Sequence, residues 1–295
     1  MAPALLAGCT IVLKMPLEAP SMGYVLAEVA EETGLPAGVL NVLTADREAS
    51  AALVGDPRVD KVSFTGSNAT GLGIAAVCAS RLARVTLELG GKSAALILDD
   101  YDLEQAARTL AGAARHLSGQ VCYATTRVIV DRHRHDVSAR QRERIEGYLA
   151  KGRADGARVA TGGGRPAHLD RGFYIERTVF ADVDNRSVIA QEEIFGPVLT
   201  VIAADGEEDA IAKANDTVYG LNASVYTEDV EHAYAVARRL RSGTVGHNGP
   251  RTDVTIAFGG VKQSGIGREG GAEGLRAFLE SKTVLLDAVP REFSA

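Results

Sequence analysis

The chain reads as an α/β protein built on parallel sheets, and three observations carry that reading. Short β-branched apolar runs alternate with helix-period stretches from the first residues onward. Glycines and polar caps punctuate the alternation where strands turn into helices. Each strand-to-strand connection is long enough to hold a helix, which parallel pairing requires.

"CTIVLKM" is the first strand, and "APSMGYVLAEVAEETG" the helix after it. Leu26, Val29, Ala30 and Thr33 share helical spacing there, with Ser21 as the candidate cap and Gly34 as the stop. "GVLNVLT" and "VDKVSFTG" are the next strands, "SNATGLGIAAVCASRL" a helix, and "RVTLEL" a strand ending at a glycine cluster, "ELGGKS". That cluster is the expected seam between two α/β domains. Beyond it, helices are expected at "DLEQAARTLAGAARHL", "SARQRERIEGYLAKGRADG" and "DVEHAYAVARRLRSG". In the last, Ala233, Val236, Ala237 and Leu240 form the apolar face, and Arg238, Arg239 and Arg241 load the final turn. Strands are expected at "TRVIV", "GPVLTVI", "NASVYT" and "GTVGHN".

The 295 residues suffice for one large or two ordinary domains, and a hydrophobic share of 46% with 24% charged residues is that of a globular protein. With 32 basic against 38 acidic side chains the net charge is −6, a sign that disfavours nucleic acid and anionic membranes. The arginines of Arg127–Arg153 are interleaved with Asp131, Asp136, Glu143 and Glu146, as on a solvated helix face. No apolar run nears the ~20 residues of a membrane span. "LLAGC" at Leu5–Cys9 resembles a lipoprotein processing box, but only eight residues precede Cys9 and none is basic. Cys9, Cys78 and Cys122 are odd in number and widely spaced, so they make neither a disulfide framework nor a zinc site, and a reducing cytoplasm fits. "HRH" at His133–His135 has no further ligands near it, and no metal is expected.

Four stretches carry chemistry. In "SFTGSNATG", Gly66 and Gly71 bracket a helix start whose free N–H groups suit a phosphate. Glu88 closes an apolar strand, where burial would lift its pKa into the range of a general base. Cys122, in "LSGQVCYATTR", follows 34 residues later and can return to the same crevice, and a thiolate attacks carbonyl carbon well. "AQEEIFGPV" sets two carboxylates and an aromatic before Gly196-Pro197, and "AFGGVKQSGIGRE" is a glycine-rich loop headed by Phe258.

Taken in order, "VLKMPLEAP", "VDKVSFTGS", "VTLELGGKS", "SGQVC", "EEIFGPV", "NDTVYGLNASVYT" and "FGGVKQSGIGRE" resemble the aldehyde dehydrogenase superfamily from residue 1 to about Lys282. The resemblance implies an incomplete Rossmann-like cofactor domain over 1–91, an α/β catalytic domain over 92–282 and a tail over 283–295. It implies oxidation of an aldehyde to an acid: Cys122 attacks to give a thiohemiacetal, hydride passes to nicotinamide, and Glu88 activates water against the resulting thioester. Lys14 matches the lysine of the adenine ribose, Gly66 and Ser67 the loop at the pyrophosphate, Gly90 a further cofactor contact, and Glu193 and Phe195 the pair at the nicotinamide ribose and ring. NAD is favoured and NADP left open, because Leu17, with Glu18 beside it, stands where many NAD-preferring members have glutamate. Glu88 itself favours hydrolysis over transfer to coenzyme A. A small aldehyde is the implied partner, along with a homo-oligomer if the absent segments are supplied.

The departures from the family are also expectations. The chain has no tryptophan, so the Trp-Asn pair that precedes the lysine strand in the family, with its oxyanion-donating asparagine, has no counterpart. At "HDVSARQ" Val137 runs into Ser138 where the family has a helix and a loop, and "HLSGQVC" lacks the usual amide pair before the glycine. An alternative reading is therefore a catalytically impaired relative with a binding or assembly role.

Overall fold

The computed structural model describes residues 1–115, 119–131, 142–165, 176–253 and 255–291. Helix α1 (Ala2–Leu6) leads into β1 (Ile11–Met15), and α2 (Ser21–Glu32) carries the chain to β2 (Leu40–Thr44). β1 and β2 form a parallel two-stranded sheet in which Lys14 lies opposite Leu43. Helix α3 (Arg47–Gly55) is capped by Asp46, whose carboxylate accepts the Ala49 N–H at 2.9 Å. Next come β3 (Lys61–Thr65), α4 (Asn68–Ser80) capped by Ser67, and β4 (Arg84–Glu88), which is parallel to β3.

From β5 (Ser93–Ile97) the chain enters a different sheet. It continues through α5 (Leu103–Arg115), β6 (Thr125–Asp131), α6 (Arg142–Ala154), β7 (Arg158–Thr161), β8 (Thr178–Ala181), α7 (Val188–Gln191), β9 (Val198–Ala204), α8 (Glu207–Asn215), β10 (Asn222–Tyr226), α9 (Val230–Ala237) and β11 (Thr244–His247). The seven strands run in the order β11-β10-β5-β6-β9-β8-β7, parallel throughout except for β7 on β8. Because both faces are covered, β5, β8 and β10 are buried along their whole length. One face packs Leu96, Ile129, Phe180, Ile202 and Val225 against Ile145, Ile189, Ile211 and Val236 of the helices. The other sets Ala95, Ile97, Val128 and Leu199 against Tyr101, Ala106 and Leu110, with Tyr101 edge-on to Tyr226 at 5.5 Å.

The chain then returns to its first part. β12 (Gly265–Ile266) pairs antiparallel with β4, Gly265 opposite Glu88, and α10 (Gly271–Arg276) follows. Ser264, fully buried, holds this return: its hydroxyl accepts the Gly220 N–H at 2.9 Å and donates to the Gly90 carbonyl at 2.6 Å. One side chain thus ties the seven-stranded sheet to the end of β4.

Most expected strands fall where the sequence puts them, and the differences have local causes. Ser21 is the first residue of α2 rather than its cap, since Pro20 takes the cap position with no side-chain bond. The packed face of α2 is Gly23, Leu26, Ala27 and Ala30, while Val29 and Thr33 face outward. Helix α9 stops at Ala237, so the arginines lie beyond its last turn. Arg239 is drawn away to Glu207 and Glu208, and Arg238 lies over the Tyr234 ring. Cys9 precedes β1 instead of sitting in it, its thiol donating to the Phe278 carbonyl at 3.8 Å. The Val137–Ser138 junction, Ser118 and the His133–His135 run lie outside the described residues. No helix among the described residues is long and apolar enough to cross a membrane.

The Ser264 clamp gives a direct expectation. Ser264→Ala removes a buried donor and leaves two backbone groups without their partner, so stability should fall by about 1–3 kcal/mol in urea denaturation. An unchanged midpoint would show that the return of the chain is held elsewhere.

Candidate active site

The site forms around the Gly90–Gly91 turn that links β4 to β5. The Gly91 Cα faces the carbonyl of Cys122 so closely that a Cβ there would run into the oxygen and crowd Leu221, 3.3 Å away. Glycine is what lets the Cys122 backbone reach the turn. On the other side of the turn Glu193 accepts the Gly91 N–H through Oε1 at 2.9 Å, and its Oε2 lies over Gly90. The Gly90 N–H donates to Asn68 Oδ1 at 3.2 Å, while Asn68 Nδ2 donates to the Gln263 carbonyl at 2.6 Å. Gly119, three residues before Cys122, rests against Gly196 and Pro197, joining the Cys122 segment to the Glu193–Phe195 segment.

Glu88 ends β4 and is 3% exposed, with a hydrogen-bond partner for neither carboxylate oxygen among the described residues. Gly259 of the glycine-rich loop lies over it, where a Cβ would be 2.7 Å from Oε1. Burial, with the Glu269 charge second and Arg268 opposing, raises the Glu88 pKa to about 8. A buried carboxyl with no partner is costly to ionise, which is the condition that suits a base working near neutral pH.

Cys122 is half-buried, and its thiol is pushed up to about 11, first by burial and then by the charges of Glu193 and Glu88. The Tyr123 and Cys122 backbone N–H groups lower it. A thiolate is expected beside a helix N-terminus or cations. Here burial comes first and the two charges that act on the thiol are carboxylates, so the thiol form is favoured. Tyr123 beside it packs edge-on to Phe258 at 6.3 Å, which brings the head of the glycine-rich loop to the same place.

The helix start at Ser67 is also joined to this centre. Gly66 N–H donates to the Glu88 carbonyl at 3.0 Å, and the Ser67 hydroxyl accepts the Thr70 N–H at 3.4 Å. The first turn of α4 holds no acidic residue, so its amide end is open to an anion. Phe195, 38% exposed with φ +56°, projects at the end of the Glu193 segment. Six of the eight singled-out residues, Gly66, Ser67, Glu88, Gly90, Cys122 and Glu193, therefore converge on one turn and its flanks. Phe195 adjoins them. Lys14 stands on β1, whose only strand partner among the described residues is β2.

Asn68, Gln263 and Ser264 escaped the sequence reading. The Asn68 side chain bonds the Gln263 carbonyl and the Ser264 side chain the Gly90 carbonyl, each across more than 170 residues, and only their place inside "SFTGSNATG" and "FGGVKQSGIGRE" could have pointed to them. Among the described residues no group of three or more His, Cys, Asp or Glu could hold a metal.

Comparison with known proteins follows the same segments. A model of the aldehyde dehydrogenase family matches residues 1–137 and 136–284, two pieces that meet at Asp136–Val137. Geranial dehydrogenase of Castellaniella defragrans is 44% identical over 97% of this chain and 65% of its own length. Betaine aldehyde dehydrogenase 1 of Rhizobium meliloti is 42% identical over 99% of this chain and 66% of its own. The crystal structure of Mycobacterium tuberculosis aldehyde dehydrogenase complexed with NAD+ superposes with a TM-score of 0.93 at 47% identity, covering 97% of this chain and 65% of that one. The chain thus spans about 65% of the length of these relatives.

The Glu88 pKa sets a pH dependence of stability. Folded, the carboxyl keeps its proton to about pH 8; unfolded, only to about 4.5. Between those values folding takes up a proton, so stability falls as pH rises through the window. A tenfold difference in proton affinity between the two states is worth roughly 1.4 kcal/mol. Glu88→Gln should therefore remove this slope and be the more stable protein by a few kcal/mol at pH 8.5, but not at pH 4. Parallel urea curves for the two proteins from pH 4 to 9 check it.

Proposed function

We propose a function on one premise: the chain belongs to the aldehyde dehydrogenase family. On it, the site oxidises an aldehyde to a carboxylic acid with NAD(P)+ through a covalent cysteine intermediate. The observation that supports this most is the meeting of the Cys122 carbonyl and the Glu193 carboxylate on the Gly90–Gly91 turn, two residues past the unpartnered Glu88.

Cys122 Sγ adds to the aldehyde carbon to give a thiohemiacetal, and its proton leaves to a base. Water takes that proton, so this half-reaction does not need Glu88. In the second half-reaction Glu88 takes a proton from the water that attacks the thioester and frees the acid. The cofactor's part is acceptance of the hydride between these two stages.

The residues fit NAD. The acid-free amide end of α4 with Gly66 and Ser67 suits the pyrophosphate, Glu193 beside Gly90 suits ribose hydroxyls, Phe195 suits the nicotinamide ring, and Lys14 suits the adenine ribose. Related structures hold NAD+, which favours NAD over NADP. We read 1–91 as the cofactor-binding part, 92–282 as the catalytic part and 283–295 as a tail, and the protein as cytoplasmic, in keeping with three free cysteines.

A second reading, a catalytically impaired relative that binds or assembles, is favoured by the surface of α2. Met22, Val25 and Val29 are 62%, 49% and 48% exposed along one helix side, with Val12 of β1 at 46%. Such a stripe suits a homo-oligomer or the packing of further chain.

The test is monodisperse protein assayed with aliphatic and aromatic aldehydes under NAD and NADP. For the 295 residues alone turnover should be far below the ~10 s⁻¹ of ordinary enzymes. Whatever activity remains should vanish in Cys122→Ala, and Glu88→Gln should keep a burst of NADH while losing the steady rate. Turnover that survives Cys122→Ala would remove the covalent mechanism. Zero turnover with Cys122 still open to alkylation would favour the second reading.

A further inference from the structure

Arg127 lies five residues after Cys122 and is 1% exposed, the largest of the fully buried side chains. Among the described residues no carboxylate pairs with it directly. Its fork is filled by oxygens from three separate segments. Nε donates to the Lys92 carbonyl at 2.9 Å, Nη1 to Asn185 Oδ1 at 3.1 Å and to the Lys213 carbonyl at 2.8 Å, and Nη2 to the Ala214 carbonyl at 2.8 Å.

Two of these segments lead back to the site. Lys92 follows Gly91, the residue on which the Cys122 carbonyl rests. Asn185 accepts Gln191 Nε2 through its carbonyl oxygen, and Gln191 ends α7, two residues before Glu193. Lys213 and Ala214 are in the last turn of α8, where a cation is favoured by the helix dipole. The pairing of β5 with β6 shifts register between Ser93 and Ala94, and Arg127 is opposite Ala94, the first residue after the irregularity. An irregular strand start leaves the segment before it free to slide unless something else fixes it. A planar fork with several fixed donors does so more stiffly than a single contact.

We propose that Arg127 is the positioning residue of this site: by bonding Lys92 and Asn185 together it fixes where the Cys122 segment stands relative to the Gly90–Gly91 turn and the Glu193 arm. It touches no reacting atom. The inference rests on Cys122 being the nucleophile, yet it is read from thiol chemistry rather than turnover, so either reading can fail without the other.

Arg127→Met keeps most of the bulk and removes every donor. Its Cys122 segment should loosen and leave the carboxyls and the burial that hold the thiol protonated. Alkylation of Cys122 by iodoacetamide at pH 8, mapped by mass spectrometry, should then rise about tenfold or more, with its pH midpoint moved down toward that of an ordinary thiol. Cys78, 1% exposed in α4, is the internal control and should stay protected. Cys122 and Cys78 opening together would mean that Arg127 only supports global stability, and an unchanged Cys122 rate and pH profile would mean that it fixes nothing at the site. Either result overturns the proposal. If Arg127→Met does not fold, Asn185→Ala, which removes one of the four bonds, carries the same test: a smaller rise at Cys122 alone supports the proposal, and no rise, or a rise shared with Cys78, overturns it.

Discussion

The close approach of the Cys122 carbonyl to the Gly91 Cα is the constraint on which the rest of the site depends. It can exist only because the link between β4 and β5 carries no side chain at that point. Once it exists, the other distances follow. Glu88 is three residues back along the same backbone. Glu193 is held to Gly91 N–H, and the glycine-rich loop is clamped to Gly90 through Ser264. A site assembled on backbone contacts of this kind leaves little room for side-chain adjustment, so it tolerates substitution poorly at glycines that carry no chemistry themselves.

Electrostatics and packing work against each other here. Burial makes both Glu88 and Cys122 reluctant to ionise, and each carboxylate nearby raises the other groups further. A site that stabilised its own charges would fold more easily but have weaker bases to work with. Keeping Glu88 unpartnered under Gly259 holds it near the pH at which it can give and take a proton, at some expense in stability.

Much of the layout is legible in the chain. Nearly every strand named from its apolar run appears, and the order of "ELGGKS", "GQVC" and "EEIFGP" picks out Glu88, Cys122 and Glu193, which the fold brings together. What stays hidden is of one physical kind: partners set by tertiary approach. The Arg127 fork, the Asn68 and Ser264 bridges and the outward turn of Val29 depend on which elements lie across from them, and neither period nor propensity carries that information. The final turn of α9 departs from expectation for the same reason, because Glu207 and Glu208 of another helix compete with the dipole for Arg239 and win. The thiol departs from it too, since only the fold buries Cys122 and brings carboxylate rather than cationic charge to bear on it.

The most direct test of the central claim is the pH profile of Cys122 alkylation in the unaltered chain and in Gly91→Ala. The unaltered chain should show an apparent pKa near 11 at Cys122, with Cys78 silent throughout. In Gly91→Ala the new methyl group should push the Cys122 carbonyl off the turn and bring the profile down toward the ordinary thiol range, again without exposing Cys78. A Gly91→Ala profile that overlays the unaltered one would contradict the claim that this contact places Cys122.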